Sequence, residues 1–237
     1  SLADQIDDWA DIVHFHWPYE GELHKPFVCT EHSNCEEEKD FPINTIYLSS
    51  KHAENNSAIC YVHNGLYWPS YGEPNFSPKN YVHFLAKASW RIKNLQGTVR
   101  IAKAAQMPLH VLGGNRINIR RNPYCYLSPS IKFHGMVGGE TKNQLIRNSK
   151  GLIFPVLWHE PFGLAVTESL YLGCPVFASP FGSLPDIISQ DNIGMLSDSY
   201  EVLIEGVKAA DTYDRRACHE HAKTYFSHMA MAKSYQA

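Results

Sequence analysis

The sequence has six cysteines but no C-x-x-C pair, no apolar run near the ~20 residues that span a bilayer, and no excess of positive charge. Each absence excludes something. Cys29, Cys35, Cys60, Cys125, Cys174 and Cys218 lie singly, several in apolar surroundings such as Leu172-Gly173-Cys174-Pro175-Val176. They read as reduced thiols of a cytoplasmic protein rather than as a disulfide framework. Without a long apolar run, no membrane-spanning helix is expected. The start Ser1-Leu2-Ala3-Asp4 shows no basic segment of a secretory signal. A net charge of −3 and a pI near 6.5 argue against a general nucleic-acid binder, while leaving room for a local basic pocket. No internal repeat is visible.

What is present is an ordinary globular composition. The 237 residues are 44% hydrophobic and 19% charged, enough for one large domain or two small ones. Short β-rich runs open the chain: 11–15, 26–30 and 44–48, then a short helix near 50–55 and a further run at 58–62. The acidic run Glu36-Glu37-Glu38 reads as a solvated loop. After Asn64-Gly65 comes a stretch rich in Pro, Tyr, Ser and Gly, the best linker candidate. Beyond it, strands at 81–86, 108–112, 131–137, 152–156 and 175–178 alternate with helical patterns at 95–106, 142–149 and 163–172. Residues 200–237 read as helical. Such alternation predicts βαβ units, a parallel sheet and helices on both faces.

In an open parallel sheet, ligands bind beyond the carboxyl ends of the strands. The most informative junction there is Trp158-His159-Glu160-Pro161-Phe162-Gly163-Leu164-Ala165-Val166-Thr167-Glu168. It follows a buried strand and opens a helix. Pro161 suits the first helical turn, and Gly163 allows close backbone approach. The free N–H groups of that turn suit a diphosphate. Glu160 and Glu168 would repel phosphate, so they are expected to accept hydrogen bonds from sugar and ribose hydroxyls. Taken alone, a Glu-x7-Glu spacing is common by chance.

The string as a whole resembles the E-x7-E motif of retaining GT-B glycosyltransferases, in particular family 4. The match continues on both sides. Ile131-Lys132-Phe133-His134-Gly135 resembles the strand before a family turn. Gly182-Ser183-Leu184-Pro185-Asp186-Ile187-Ile188 resembles its "GGLPEVV" segment, and 225–235 its closing helix. Val62-His63-Asn64-Gly65-Leu66 resembles the end of its first domain. The resemblance covers most of residues 10–237. It implies two Rossmann-like domains with parallel sheets: a shortened acceptor-side domain at 1–72, a nucleotide-sugar domain at 73–215, and a helix at 216–237 packing back towards the first.

Carried over by position, the resemblance puts Glu160 on the donor sugar hydroxyls and Glu168 on the ribose. The backbone of Phe162, Gly163 and Leu164 lies by the diphosphate. The family's cationic pair falls within Ala86-Lys87-Ala88-Ser89-Trp90-Arg91-Ile92-Lys93. Lys93 matches the later Lys, Lys87 stands where the family has Arg, and Arg91 is a third candidate. Fixed cations there would stabilise the charge on a leaving diphosphate. His32, in Lys25-Pro26-Phe27-Val28-Cys29-Thr30-Glu31-His32-Ser33, matches the family's cleft histidine, so Glu160 and His32 are the catalytic expectations. His14 and His16 alternate on one strand and can share a face. No metal and no separate cofactor is expected.

The expected activity is sugar transfer, with retention, from a nucleotide diphosphate sugar (UDP or GDP) to an acceptor hydroxyl in polysaccharide or glycan synthesis. Its partners would be the nucleotide sugar and a glycan or lipid-linked acceptor, with no nucleic acid. The location would be cytoplasmic or peripheral at a membrane surface. The shortened first domain leaves an open sheet edge, which invites a second copy or a partner chain. It also motivates the alternative, a non-catalytic nucleotide-sugar-binding module or partner subunit.

Overall fold

The structure is a computed structural model that describes residues 5–19, 21–34, 41–115 and 128–237. Cys35, Cys125 and the run Glu36 to Glu38 lie outside the described residues.

Among the described residues, two parallel sheets form. The first has three strands in the order β1 (Val13–Phe15), β2 (Phe27–Thr30), β3 (Thr45–Ile46). Helix α1 (Ser50–Glu54) follows, capped by the Ser49 hydroxyl, which accepts from the His52 N–H. The run 58–62, read above as a strand, is corrected: only Tyr61 bridges, to Tyr47. Its apolar content is divided, since Ile59 is 95% exposed while Val62 is buried.

The second sheet has six strands: β4 (Val82–Leu85), β5 (Leu109–Leu112), β6 (Ile131–Phe133), β7 (Leu152–Phe154), β8 (Val176–Ala178) and β9 (Gly194–Leu196). Their order is β6-β5-β4-β7-β8-β9, all parallel. The chain therefore builds outward from β4 in one direction, then returns and builds outward from β7 in the other. Between β4 and β7 the connections diverge to opposite sides, which opens a crevice at the carboxyl ends of those strands.

Alternation along the strands sorts the core. Val82, Phe84, Leu109, Val111, Ile153 and Phe177 face α2 (Leu95–Ala104) and α6 (Tyr200–Lys208). Leu112, Leu152, Phe154, Val176 and Ala178 face α3 (Gly139–Arg147), α4 (Leu164–Tyr171) and α7 (Arg215–Tyr225). This is the period-2 pattern of strands buried on both faces. Phe84 and Phe177 are fully buried, each favouring the fold by roughly 1.5–3 kcal/mol. Helix α2 starts at Asn94, which sits in the left-handed region (φ 53°) and accepts from the Gly97 N–H at 3.0 Å. Its amide also donates to the Pro155 carbonyl at 2.7 Å, locking the loop after β4 to the loop after β7.

Two elements were not anticipated. Helix α5 (Leu184–Ile187) is only four residues long, too short to show a helical period. Strand β9 is only Gly194-Met195-Leu196, an apolar run too short to read as a strand, and is defined by its ladder with β8.

The end of the chain returns to the first sheet. Leu66 pairs with Ser227, and the Leu66 N–H donates to the Phe226 carbonyl. From α8 (His228–Gln236), the Tyr235 hydroxyl lies 2.7 Å from Thr30 Oγ1 at the end of β2. Among the described residues, no helix is long and apolar enough to cross a membrane.

Candidate active site

A cleft of about 490 Å³ opens where the two sheets meet. The loop after β4 contributes Lys87, Trp90 and Lys93, and the loop after β7 contributes Trp158 and Glu160. The start of α4 contributes Phe162, Gly163 and Leu164, and the first sheet contributes His32 and Ser33. Seven of the sequence-predicted residues thus line one space: His32, Lys87, Lys93, Glu160, Phe162, Gly163 and Leu164.

At its centre, Lys93 Nζ donates to both Glu160 oxygens, at 2.9 and 2.6 Å. Both side chains are largely buried. The Trp158 indole N–H donates to the same carboxylate at 2.7 Å, and Lys93 also lies 4.7 Å from the Trp158 ring centroid. A buried carboxylate so supplied with donors keeps its charge in a medium that would otherwise penalise it. The expectation that Glu160 repels anions is therefore refined: its charge is offset in place.

The backbone around Glu160 is held from three sides. Gly182 bridges to Glu160, and the Ser183 N–H donates to the Glu160 carbonyl at 2.8 Å. Ser49 from α1 donates to the Pro161 carbonyl at 2.9 Å, and Ser50 donates through backbone and hydroxyl to Asp186 at 3.0 and 2.6 Å. The Asn34 amide bonds the His159 carbonyl. These contacts fasten the first sheet to the loop that carries Glu160.

Helix α4 begins at Gly163 (φ 91°, ψ 60°) with no side-chain cap. Its first backbone donors therefore open onto the cleft, the arrangement that suits an anion. Lys87 lies over the Trp90 ring, 5.1 Å from its centroid, and is exposed to solvent.

His32 belongs to a stack of imidazoles. Its Nε2 is 2.9 Å from His16 Nδ1, and the His16 ring stacks on His14 at 4.6 Å. His14 Nε2 is 2.7 Å from Thr30 Oγ1, which also meets Tyr235. Burial, then the neighbouring His16, push the His32 ring below its ordinary pKa, with Glu31 opposing. His32 is thus biased to the neutral form at pH 7. Among the described residues, no group of three or more His, Cys, Asp and Glu is arranged to hold a metal.

Two predicted residues stand apart. Arg91, on the short 3₁₀ turn Arg91–Lys93, is exposed and does not line the cleft. Glu168, one helical turn and more along α4, lies outside the lining too. Its Oε1 accepts from Lys142 Nζ at 2.6 Å and from the Tyr71 hydroxyl at 2.8 Å. Burial and the Glu168 charge push the Tyr71 phenol well above its ordinary value, so it stays a donor. Lys142, Tyr71, Trp158 and Trp90 escaped the sequence reading. Only the tryptophans carried a signal, as bulky aromatics within the quoted loops.

Comparison with known proteins agrees with this architecture. The structure superposes on AviGT4, a glycosyltransferase involved in avilamycin A biosynthesis, with a TM-score of 0.79 at 16% identity, over 96% of this chain and 73% of that one. A glycosyltransferase from Rickettsia africae gives 0.76 at 14% identity, over 99% and 78%. HepE from Anabaena, solved with UDP and glucose, gives 0.70 at 15% identity, over 90% and 71%. The fold is thus α/β of the GT-B type, of which the chain comprises a part. The glycosyl transferases group 1 profile matches residues 75–223, more than half of the sequence, and the chain belongs to that family. An uncharacterized 41.2 kDa protein in the cps region of Klebsiella pneumoniae is 24% identical over 148 residues, 60% of this chain. The chain spans only 40% of that relative's length.

Proposed function

We propose that this protein is a retaining glycosyltransferase of family 4 that takes its sugar from a nucleotide diphosphate sugar, with UDP or GDP as the nucleotide. The observation that carries the reading is the convergence of Glu160, Lys93, the uncapped start of α4 and His32 on one cleft at the switch point of the sheet.

In this reading the bond from the anomeric carbon to the diphosphate breaks, and a bond to the acceptor oxygen forms on the same face. The acceptor proton passes to the departing diphosphate. Lys93, Lys87 and the first N–H groups of α4 stabilise the charge that develops on the leaving group. Glu160 accepts from a sugar hydroxyl and fixes the ring. His32, held by His16, faces the reacting carbon from the other sheet. Glu168, oriented by Lys142 and Tyr71, accepts from the ribose hydroxyls. The acceptor is a glycan or a lipid-linked glycan in polysaccharide synthesis, a placement to which the cps-region relative lends support. No metal and no separate cofactor is invoked. A second copy or a partner chain would pair with the β1 edge, which has no neighbouring strand among the described residues. A monomer at high concentration in sedimentation counts against that pairing.

The test is a thermal-shift screen with UDP, GDP, ADP and CMP and their common sugars, using Glu168→Ala and Lys87→Ala as controls. One nucleotide should raise the midpoint in the wild type and do so less in the variants. If none does, the cleft is not a donor site. A second reading, a nucleotide-sugar-binding subunit without turnover, is favoured by the three-stranded first sheet. Donor binding without hydrolysis or transfer to any acceptor would select it.

A further inference from the structure

A second cleft, of about 630 Å³, lies between the edge strand β6 and α3. This is within the roughly 300–1,000 Å³ of small-molecule sites. One wall carries Lys79, Tyr81, His110, Lys132 and His134, and α3 supplies Thr141 and Gln144. The strand register aligns His110 with Lys132 on adjacent strands. The Tyr81 ring lies flat on His110, with centroids 3.9 Å apart, and His110 meets His134 at 4.8 Å.

Three features set this cleft apart from an ordinary surface hollow. Among the described residues, no carboxylate lines it. Lys79 and Lys132 enter no ion pair among the described residues. His110 Nδ1 and His134 Nε2 are buried without a hydrogen-bond partner, which costs free energy unless a ligand supplies one. Burial, then His134, Lys132 and Lys79, holds His110 down to about 4, and the two unpaired lysines give the cleft its positive potential.

We propose that this cleft binds a soluble, phosphate-bearing small molecule. Lys79 and Lys132 supply the charge, and a rotation of the His110 and His134 rings turns their unpartnered nitrogens towards the phosphate oxygens. The Thr141 hydroxyl and Gln144 amide reach the remainder of the ligand from α3. The site is separate from the cleft that holds Glu160: it shares no lining residue with it.

The histidine-ring resonances of the full chain report on this directly, assigned with a His134→Gln variant. Titration with inorganic phosphate should move the His110 and His134 signals saturably. The Lys79→Ala/Lys132→Ala double variant should weaken that binding by about tenfold or more, the loss expected when charge-assisted bonds are removed. Both lysines are exposed, so the double variant should fold. Lys87→Ala, on the other cleft, should leave the affinity unchanged. Absence of a saturable shift, wild-type affinity in the double variant, or loss of binding in Lys87→Ala would each overturn the proposal. A lipid source is separated by sedimentation with phosphatidylglycerol vesicles. Co-sedimentation lost in the double variant but unaffected by free phosphate would assign the cleft to a headgroup and overturn the soluble-ligand reading.

Discussion

Replacing Lys93 by Met should destabilise the protein through the carboxylate it leaves behind. The Lys93 and Glu160 side chains are 11% and 9% exposed and meet at 2.6 Å. Removing one member of a buried pair typically costs about 3–5 kcal/mol, because the remaining charge is uncompensated. Here the Trp158 indole still donates to Glu160 at 2.7 Å, and the carboxylate borders an open cleft. Both facts place the cost near the lower end, about 3 kcal/mol. For a chain of this size that corresponds to a midpoint lower by roughly 6–12 °C. Glu160→Gln leaves the buried Lys93 ammonium without its counter-ion and should cost a comparable amount, about 3 kcal/mol. The double variant Lys93→Met/Glu160→Gln should recover part of the loss, because no buried charge remains. A double-mutant cycle by calorimetry or urea unfolding gives the coupling. If Lys93→Met melts with the wild type, or the four corners of the cycle are additive, the pair is solvated and the account of Glu160 fails.

Other perturbations probe neighbouring features. Gly163→Ala forces a side chain into the left-handed region at φ 91°, so urea unfolding should show a loss of about 1–2 kcal/mol; an unchanged midpoint would refute the strain. Gly182→Ala should be worse, since the added carbon would sit 2.3 Å from the backbone of Glu160. It should lower the midpoint and the nucleotide response together, and a soluble variant with a wild-type response would contradict the packing. Burial pushes His83 down to about 3, between the hydroxyls of Ser149 and Ser169. The unfolded state, with an ordinary histidine near 6.5, then binds the proton more readily. Stability is fully present above about pH 6.5 and falls as pH drops towards 3, by about 2 kcal/mol at pH 5 from this group alone. His83→Gln should flatten that slope in pH-dependent unfolding, and an identical slope would remove His83 from the explanation. Tyr71→Phe deletes a bond to the charged Glu168 and should cost roughly 1.5–3 kcal/mol by chemical denaturation; no loss would mean that Lys142 alone holds the carboxylate.

Much of the second sheet was legible because its strands are short apolar runs buried on both faces and punctuated by helices. β4, β5, β7 and β8 fall inside the expected runs, and α2 and α4 within two residues of the expected ends. The misreadings have a common cause. Ala58 to Val62 has the composition of a strand, yet Ile59 and Tyr61 face outward, Val62 alone is buried, and pairing is limited to Tyr61. β9 is a three-residue run too short to read as a strand, and is one because β8 offers it a partner. Pairing is a tertiary property, and composition reports it only when burial enforces it. The site divides in the same way. The residues that converge on the cleft sit in loops after β4 and β7, whose positions follow from the parallel topology. What the sequence could not show is which cation meets which carboxylate. Lys142 lies 26 residues from Glu168 in a helix with no motif of its own, and only packing brings them to 2.6 Å.

That division explains why one spacing serves two roles. Glu160 and Glu168 flank the opening of the same helix, but Glu160 precedes it and points into the cleft beside Lys93 and Trp158. Glu168 lies on the helix itself and is tied to Lys142 and Tyr71 outside the cleft lining. Each carboxylate has its own lysine, so neither depends on a ligand to offset its charge. A ligand diphosphate would compete with Glu160 for Lys93, whereas a ligand hydroxyl would add to the Glu168 cluster without displacing Lys142. The first exchange is sensitive to salt and to the charge of the ligand; the second is not. Raising ionic strength should therefore weaken a nucleoside diphosphate more than the matching nucleoside, and the difference should shrink in Lys93→Met. Equal salt dependence for both ligands in the wild type would show that the Lys93–Glu160 pair does not open to the diphosphate.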